Sequence, residues 1–310
     1  MEANIICIVG PTAAGKTRLS VALAQKFGAE IVSCDSMQVY RGMDIGTAKP
    51  TPSEMGGIRH HMIDCADPAE DFSVSRYVEL ADECLQDILS RGKSAIIVGG
   101  TGLYMDSLVA GRQFAPYPQT GRREELEKIA EAEGIGVLVE RLRAVDPDAA
   151  QSIHPSNRKR IIRALEVYLE TGKTFTQHNR ESQLLPPKYR PIWIGVDYVN
   201  RATLYSRIDR RVDEMFKAGL VGEVQRLLNS GVPANATSMQ AIGYKELTAF
   251  IRGEASLDAA REDIQRASRR YAKRQRTWFR RNSAVHWIER TDTTDFNAVL
   301  TQALTLLETK

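Results

Sequence analysis

The chain reads as an α/β protein: a P-loop NTPase-like parallel sheet core flanked by helices, interrupted by a small all-helical insertion domain. Three observations point there. A phosphate-loop pattern, Gly10-Pro11-Thr12-Ala13-Ala14-Gly15-Lys16-Thr17, lies between an apolar β-branched run and a helical pattern. Short apolar runs recur at 5–9, 29–34, 94–98 and 192–197 with helix-period segments between them, as buried parallel strands do. From about 113 to 190 no strand-like run occurs. The expected organisation is a core over 1–112 and 191–310, with a helical insertion over 113–190.

Size and composition bound the rest. A chain of 310 residues, 43% apolar, can bury a full core. The net charge of +3 is too small to imply a nucleic-acid partner, so the distribution of charge matters more. Cys7, Cys34, Cys65 and Cys84 form no Cys-x-x-Cys pair, and Cys7 and Cys34 fall in core strands. Reduced thiols are expected, which suits the cytoplasm. Met1 leads almost directly into the first strand, leaving no room for a signal peptide, and no apolar run approaches membrane-spanning length. A soluble, cytoplasmic protein with no membrane partner is expected, and a monomer is the default expectation.

Taken in order, Ile5–Val9 is expected as a buried strand. Leu19, Ala22, Leu23 and Phe27 mark a helix after the loop, and Gly28 offers its stop. Strand, glycine-rich turn and helix together point backbone N–H groups and a helix N-terminus at one anion. Lys16 adds a positive charge there, and the Thr17 hydroxyl is placed to ligate Mg²⁺. Residues 29–34 form the second strand. Asp35-Ser36-Met37-Gln38 follow at its carboxyl end, where open α/β sheets bind ligands. Asp35 can project towards the bound phosphate or cap a turn.

Residues 40–68 read as one long loop. Its His60-His61 pair beside Asp64 is not expected to bind metal, because adjacent histidines do not share a face and no third ligand stands at metal spacing. Hydrogen-bonding roles are expected instead. A helix over 73–90 leads to the strand at 94–98, which ends in Gly99-Gly100-Thr101-Gly102. A nucleoside triphosphatase would carry an aspartate there for Mg²⁺. Glycines are expected to let a substrate approach the backbone, with a tight turn into the next helix as the alternative.

A linker at 111–120 contains Pro116, Tyr117 and Pro118. Charged helices are then expected near 121–134, 136–145 and 157–170, followed by a polar stretch at 173–191. Arg158, Lys159, Arg160 and Arg163 cluster on the third helix, as a phosphate-backbone contact or a solvated face. After the strand at Ile192–Asp197, a helix marked by Leu204, Ile208, Val212 and Met215 carries Arg207, Arg210 and Arg211. One or two of these arginines could turn towards the P-loop anion as a bidentate partner. The run 264–281 is basic, free of acids and interleaved with Tyr271, Trp278 and Phe279. It is an electrostatic footprint for nucleic acid, with Trp278 and Phe279 as candidates for the core. A final strand at 285–288 and an apolar-patterned helix close the core.

These pieces suggest group transfer onto a polynucleotide, and longer motifs make the suggestion specific. Asp35 to Pro50, His60-His61-Met62-Ile63-Asp64, Val98 to Tyr104, Arg163-Ala164-Leu165-Glu166-Val167, Ala241-Ile242-Gly243-Tyr244-Lys245-Glu246 and Tyr271 to Arg280, with the P-loop, run nearly end to end. On them the chain resembles the tRNA dimethylallyltransferases, the bacterial-type tRNA isopentenyltransferases of the IPP transferase family.

The resemblance implies transfer of a dimethylallyl group from dimethylallyl diphosphate to N6 of adenine 37, in the anticodon stem-loop of tRNA. It implies that the loop from Gly10 to Thr17 holds the diphosphate of an allylic donor, with Mg²⁺ on Thr17 and an arginine of the 207–211 helix, either Arg211, the preferred candidate, or Arg207. Asp35 is then the general base. Thr101 stands at the rim where the base enters, and Asp35, Ser36, Met37 and Gln38 touch the flipped-out adenine. Arg123 and the segment Lys159, Arg160, Ile161, Ile162 and Arg163 hold the tRNA loop. The family often has Pro-Asn-Asp where this chain has Pro155-Ser156-Asn157, and Gln where it has Lys159. An isopentenyltransferase acting on free adenine nucleotides, a P-loop nucleotide kinase and a non-catalytic RNA-binding switch are the competing readings.

Overall fold

The computed structural model describes residues 5–114, 120–184 and 186–309. The expected linker residues Pro116, Tyr117 and Pro118 lie outside them. The chain divides into two compact units, Met1–Val109 with Tyr189–Lys310, and Ala110–Lys188.

The first unit holds one six-stranded parallel sheet. Its strands are β1 (Ile5–Val9), β2 (Glu30–Cys34), β3 (His60–His61), β4 (Ala95–Gly99), β5 (Ile192–Tyr198) and β6 (Val285–Arg290), in the order β3-β2-β4-β1-β5-β6. Every residue of β1, β2 and β5 is buried, as expected of a parallel sheet covered on both faces. Ile6, Ile8, Ile194 and Ile288 join Leu19, Leu23, Val299 and Leu307 in one core cluster. From β1 the chain passes to β2 on one side, and from β4 on to β5 on the other, while β1 and β4 are neighbours. That reversal opens a crevice at the carboxyl ends of β1 and β4, where ligands of open α/β sheets bind. The P-loop and Gly99–Thr101 are the two segments that flank it.

Two stretches are more ordered than the sequence suggested. Within 40–68, Pro52–Met55 forms a helical turn under a Thr51–Glu54 capping box, and His60–His61 pairs with β2 as an edge strand. His61 Nε2 meets Glu30 at 2.8 Å, and His60 Nδ1 meets the Ile58 carbonyl at 2.9 Å. Within 173–191, Phe175–Leu184 is a helix.

All regular structure among the second unit's described residues is helical. Its main helices are Arg122–Ala132, Ile135–Val145 and Arg158–Thr171, packed around Leu126, Leu138, Leu142, Ile161, Ile162 and Leu165. Buried Asp146 caps Pro147–Ser152 through the Ala149 amide, and it also accepts the amide and hydroxyl of Thr176. One carboxylate thus fixes two short helices whose propensity alone is weak.

Candidate active site

The P-loop turns where its residues allow. Gly10 has φ +141°, and a Cβ there would lie 2.2 Å from the Val196 carbonyl oxygen of β5. Gly15 (φ +96°) precedes the Lys16–Phe27 helix and supplies no side-chain cap, so the first-turn amides are left for an anion. Lys16 Nζ donates to the Pro11 carbonyl at 2.7 Å. From the Arg201–Lys217 helix, Arg211 donates to Thr12 Oγ1 at 3.2 Å and Arg207 Nε to the Ala13 carbonyl at 3.4 Å. From the end of β6, Arg290 donates to the Ala14 carbonyl at 3.0 Å.

The charge here is held at a cost. Burial, and then the neighbouring Arg211 guanidinium, bring Lys16 down to about 8, against the pull of Asp35 and Asp197. Burial also lowers Arg211. Two desolvated cations side by side have the chemistry of an anion receptor, because an arriving anion would relieve both penalties.

Opposite the loop, Asp35 is half-buried at the end of β2. Its Oδ1 accepts the amides of Met37 (2.9 Å) and Gln38 (3.4 Å), which makes a tight turn and leaves Oδ2 without a hydrogen bond among the described residues. The turn-capping reading of Asp35 is therefore met on Oδ1. Thr101 Oγ1 accepts the Ser36 amide at 3.1 Å, so it braces this turn. Thr101 lines neither of the two cavities described next. Gln38 is occupied within the protein: its Oε1 accepts from Ser33, and its Nε2 donates to the Thr47 and Ala48 carbonyls.

Two adjoining cavities share Thr12, Asp35, Thr47, Ala48, Arg211 and Tyr271. The first, about 80 Å³, is polar and reaches Lys16, Thr17, Gly99 and Gly100. The second, about 300 Å³, adds Met37, Ile208, Val212, Met215, Ile242 and Ile264, and it is large enough for a small ligand. A third cavity brings Arg18, Arg207 and Arg210 to the same Lys16, Thr17 and Arg211. The Thr17 hydroxyl makes no hydrogen bond among the described residues, and no group of three His, Cys, Asp or Glu residues there could hold a metal. A Mg²⁺ bound chiefly by diphosphate oxygens, with one protein hydroxyl, fits that donor set.

The glycines at the end of β4 and just beyond it have a packing reason in the fold. A Cβ on Gly99 would lie 1.9 Å from the Cys34 carbonyl oxygen, one on Gly100 2.0 Å from Gln275 Nε2, and one on Gly102 2.2 Å from the Trp278 ring. The space a Cβ would take at each is filled by the protein's own strand and helix, while Gly99 and Gly100 also line the polar cavity. The basic run is partly neutralised by the protein's own carboxylates. Within the Leu257–Phe279 helix, Arg269 pairs with Asp209, Arg276 with buried Asp197, and Trp278 Nε1 with Asp106; Phe279 is buried. Arg280, just beyond, also reaches Asp197. Arg270, Lys273 and Arg274 are the exposed cations of this helix's second half.

Sequence reasoning missed Gln275. Its Oε1 accepts the Thr12 amide at 2.8 Å, and its Nε2 donates to the Gly100 carbonyl at 3.0 Å. An uncharged residue in a run of cations was the available signal.

In the second unit, Arg158 is held by Glu127 and Glu131, while Arg123 and Arg163 both meet buried Glu166. Asn157 caps this helix through the Arg160 amide, the work that an Asp would do at that position. Ile161 and Ile162, expected among the tRNA contacts, are each 1% exposed and belong to the unit's core. Their side chains offer no surface to a partner. Lys159 and Arg160 are exposed.

A family model described as IPP transferase matches residues 38–282. The chain is 51% identical over 289 residues to a tRNA dimethylallyltransferase of Caldanaerobacter subterraneus subsp. tengcongensis, covering 93% of this chain and 92% of that one. It is 48% identical over 299 residues to that of Geobacillus thermodenitrificans, covering 96% and 93%. The solved full-length tRNA isopentenylpyrophosphate transferase from Bacillus halodurans superposes with a TM-score of 0.74 at 42% identity, covering 98% and 95%. A eukaryotic dimethylallyltransferase, described as acting on tRNA, superposes with a TM-score of 0.85 at 30% identity, covering 97% of this chain and 77% of that one.

Proposed function

The chain belongs to the IPP transferase family, and from that membership we propose that it is a tRNA dimethylallyltransferase, moving a dimethylallyl group from dimethylallyl diphosphate to N6 of adenine 37. One observation supports this reading above the others. Asp35, Thr12 and Arg211 line both the polar cavity beside the P-loop and the larger, more apolar one. A reaction that breaks a carbon–oxygen bond between a diphosphate and a hydrocarbon needs such a boundary.

On this reading the first-turn amides, Lys16 and Arg211 bind the diphosphate. Thr17 would contribute its hydroxyl to a bound Mg²⁺, which would supply additional neutralisation of the leaving group's charge. The adenine amine is a weak nucleophile because its lone pair is delocalised into the ring. As N6 bonds to C1 of the allylic group, the C1–O bond breaks and its electron pair leaves with the diphosphate. Asp35 Oδ2, the oxygen not used in the turn, takes the N6 proton. Thr101 acts indirectly by holding the Ser36 amide and hence the turn. Lys16 and Arg211 stabilise charge that grows only as the bond breaks, which is where stabilisation accelerates the step. Adenine in a stacked loop cannot reach the cavity, so flipping is required. Exposed Lys159 and Arg160 are suited to backbone phosphates.

Labelled donor, incubated separately with AMP and with unmodified tRNA, tests the acceptor. Label on tRNA alone supports the proposal. Label on AMP with none on tRNA transfers the assignment to a free-nucleotide enzyme.

A further inference from the structure

The segment Asp44–Lys49 forms a strap whose Gly46, Thr47 and Ala48 border the larger cavity. Its form is set by short bonds of its own. Lys49 N–H donates to the Asp44 carbonyl, and Lys49 Nζ, almost wholly buried, reaches Asp44, Asp64 and the Tyr40 carbonyl. Lys49 thereby ties one end of the strap to neighbouring loop residues, while its first three amides are gathered by a single group, the Glu223 carboxylate in the first turn of the Leu220–Asn229 helix. Glu223 is 2% exposed and accepts three successive strap amides: Asp44 at 3.0 Å, Ile45 at 2.9 Å and Gly46 at 3.1 Å. A fourth donor is the buried Tyr244 hydroxyl at 2.5 Å.

Burying a carboxylate is expensive unless its lone pairs are met, and four donors meet these. Tyr244 also explains Gly46, where a Cβ would lie 2.4 Å from the tyrosine ring. The strap in turn receives Gln38, whose Nε2 donates to the Thr47 and Ala48 carbonyls, and Gln38 N–H closes the Asp35 turn.

We propose that Glu223 is a positioning residue for the acceptor side of the site: by gathering the Asp44, Ile45 and Gly46 amides it holds the strap against Gln38, and through Gln38 it fixes the turn that aims Asp35. The assignment of the acceptor side rests on the tRNA reading above. Thr47 and Ala48 also line the polar cavity, but the bonds that hold the P-loop itself, from Lys16, Arg211 and Gln275, do not pass through the strap, so the diphosphate grip depends on the strap less than the Asp35 turn does.

The test uses Glu223→Gln and Tyr244→Phe in the full chain. Glu223→Gln keeps the shape but replaces an anionic oxygen with an NH₂ group facing N–H donors. Losing charge-assisted bonds of this kind should accelerate hydrogen exchange at the Asp44–Gly46 amides by about tenfold or more. It should lower kcat/KM for tRNA by about tenfold, with a clearly smaller effect on calorimetric binding of dimethylallyl diphosphate. Tyr244→Phe removes one donor of four and should show the same pattern more weakly, which keeps the test available if Glu223→Gln does not fold. Equal losses for donor and tRNA would point to general destabilisation and overturn the proposal. So would faster strap exchange with unchanged kcat/KM for tRNA, or wild-type behaviour in Tyr244→Phe. If the wild-type protein prenylates no tRNA, the functional reading fails separately. The exchange measurement on free protein then still decides whether Glu223 holds the strap, and unaltered exchange overturns it.

Discussion

Gln275 accepts the Thr12 amide at 2.8 Å across 263 residues of sequence, which fixes the P-loop from a helix near the end of the chain. Its other end donates to the Gly100 carbonyl at 3.0 Å, so one amide group ties together the two segments flanking the crevice between β1 and β4. Breaking this link should loosen the P-loop and the Asp35 side of the site together.

Gln275→Leu leaves the Thr12 amide and the Gly100 carbonyl without their partner. Unmet buried polar groups of this kind cost about 1–3 kcal/mol. Denaturant melts should show a loss of that size, and the KM for dimethylallyl diphosphate should rise. Unchanged stability and KM would make the bridge incidental.

Lys16 provides a pH signature. Its folded pKa of about 8 lies below its ordinary value of 10.5, so between these values the unfolded chain binds more protons than the folded one. Its contribution to stability therefore improves as pH rises from about 8 to 10.5. Donor binding changes in the opposite sense. The diphosphate prefers charged Lys16, so donor affinity should fall as pH rises through about 8, and binding near that pH should take up a proton. Calorimetry in buffers of different ionisation enthalpy measures the uptake, and Lys16→Met should abolish it.

Lys159 and Arg160 are the exposed cations of their cluster, whereas Arg158 and Arg163 are held by carboxylates. Replacing both with Gln should weaken tRNA binding and reduce the magnitude of the salt slope by about 1 for each phosphate that the two cations neutralise. The donor KM should not change. An unaltered salt slope would remove both residues from the interface.

The parallel core was legible because each large strand is a β-branched run bounded by turn chemistry, and the P-loop lies between two such signals. The rest depended on partners that periodicity does not reveal. The β3 strand is two histidines long, too short for any alternation. Phe175–Leu184 is a polar helix anchored by Asp146, some 30 residues earlier. Ile161 and Ile162 fell within a basic motif, and apolar residues on an amphipathic helix are oriented by the unit's own core. The glycines at 99–102 were legible as glycines, but what occupies the space beside them comes from Cys34, Gln275 and Trp278, distant in sequence. The adjoining cavities likewise depend on residues far apart in the chain.

The central chemical step has Asp35 Oδ2 taking the N6 proton while the P-loop holds the departing diphosphate. Asp35→Asn isolates that step, because the amide oxygen can still accept the Met37 and Gln38 amides and keep the turn. Single-turnover transfer to unmodified tRNA, followed by nucleoside mass spectrometry, measures it directly. The wild-type protein should place one dimethylallyl group on adenine 37. Asp35→Asn should do so about a hundredfold or more slowly while retaining tRNA. Undiminished transfer by Asp35→Asn, or a group placed anywhere other than that adenine, would contradict this mechanism.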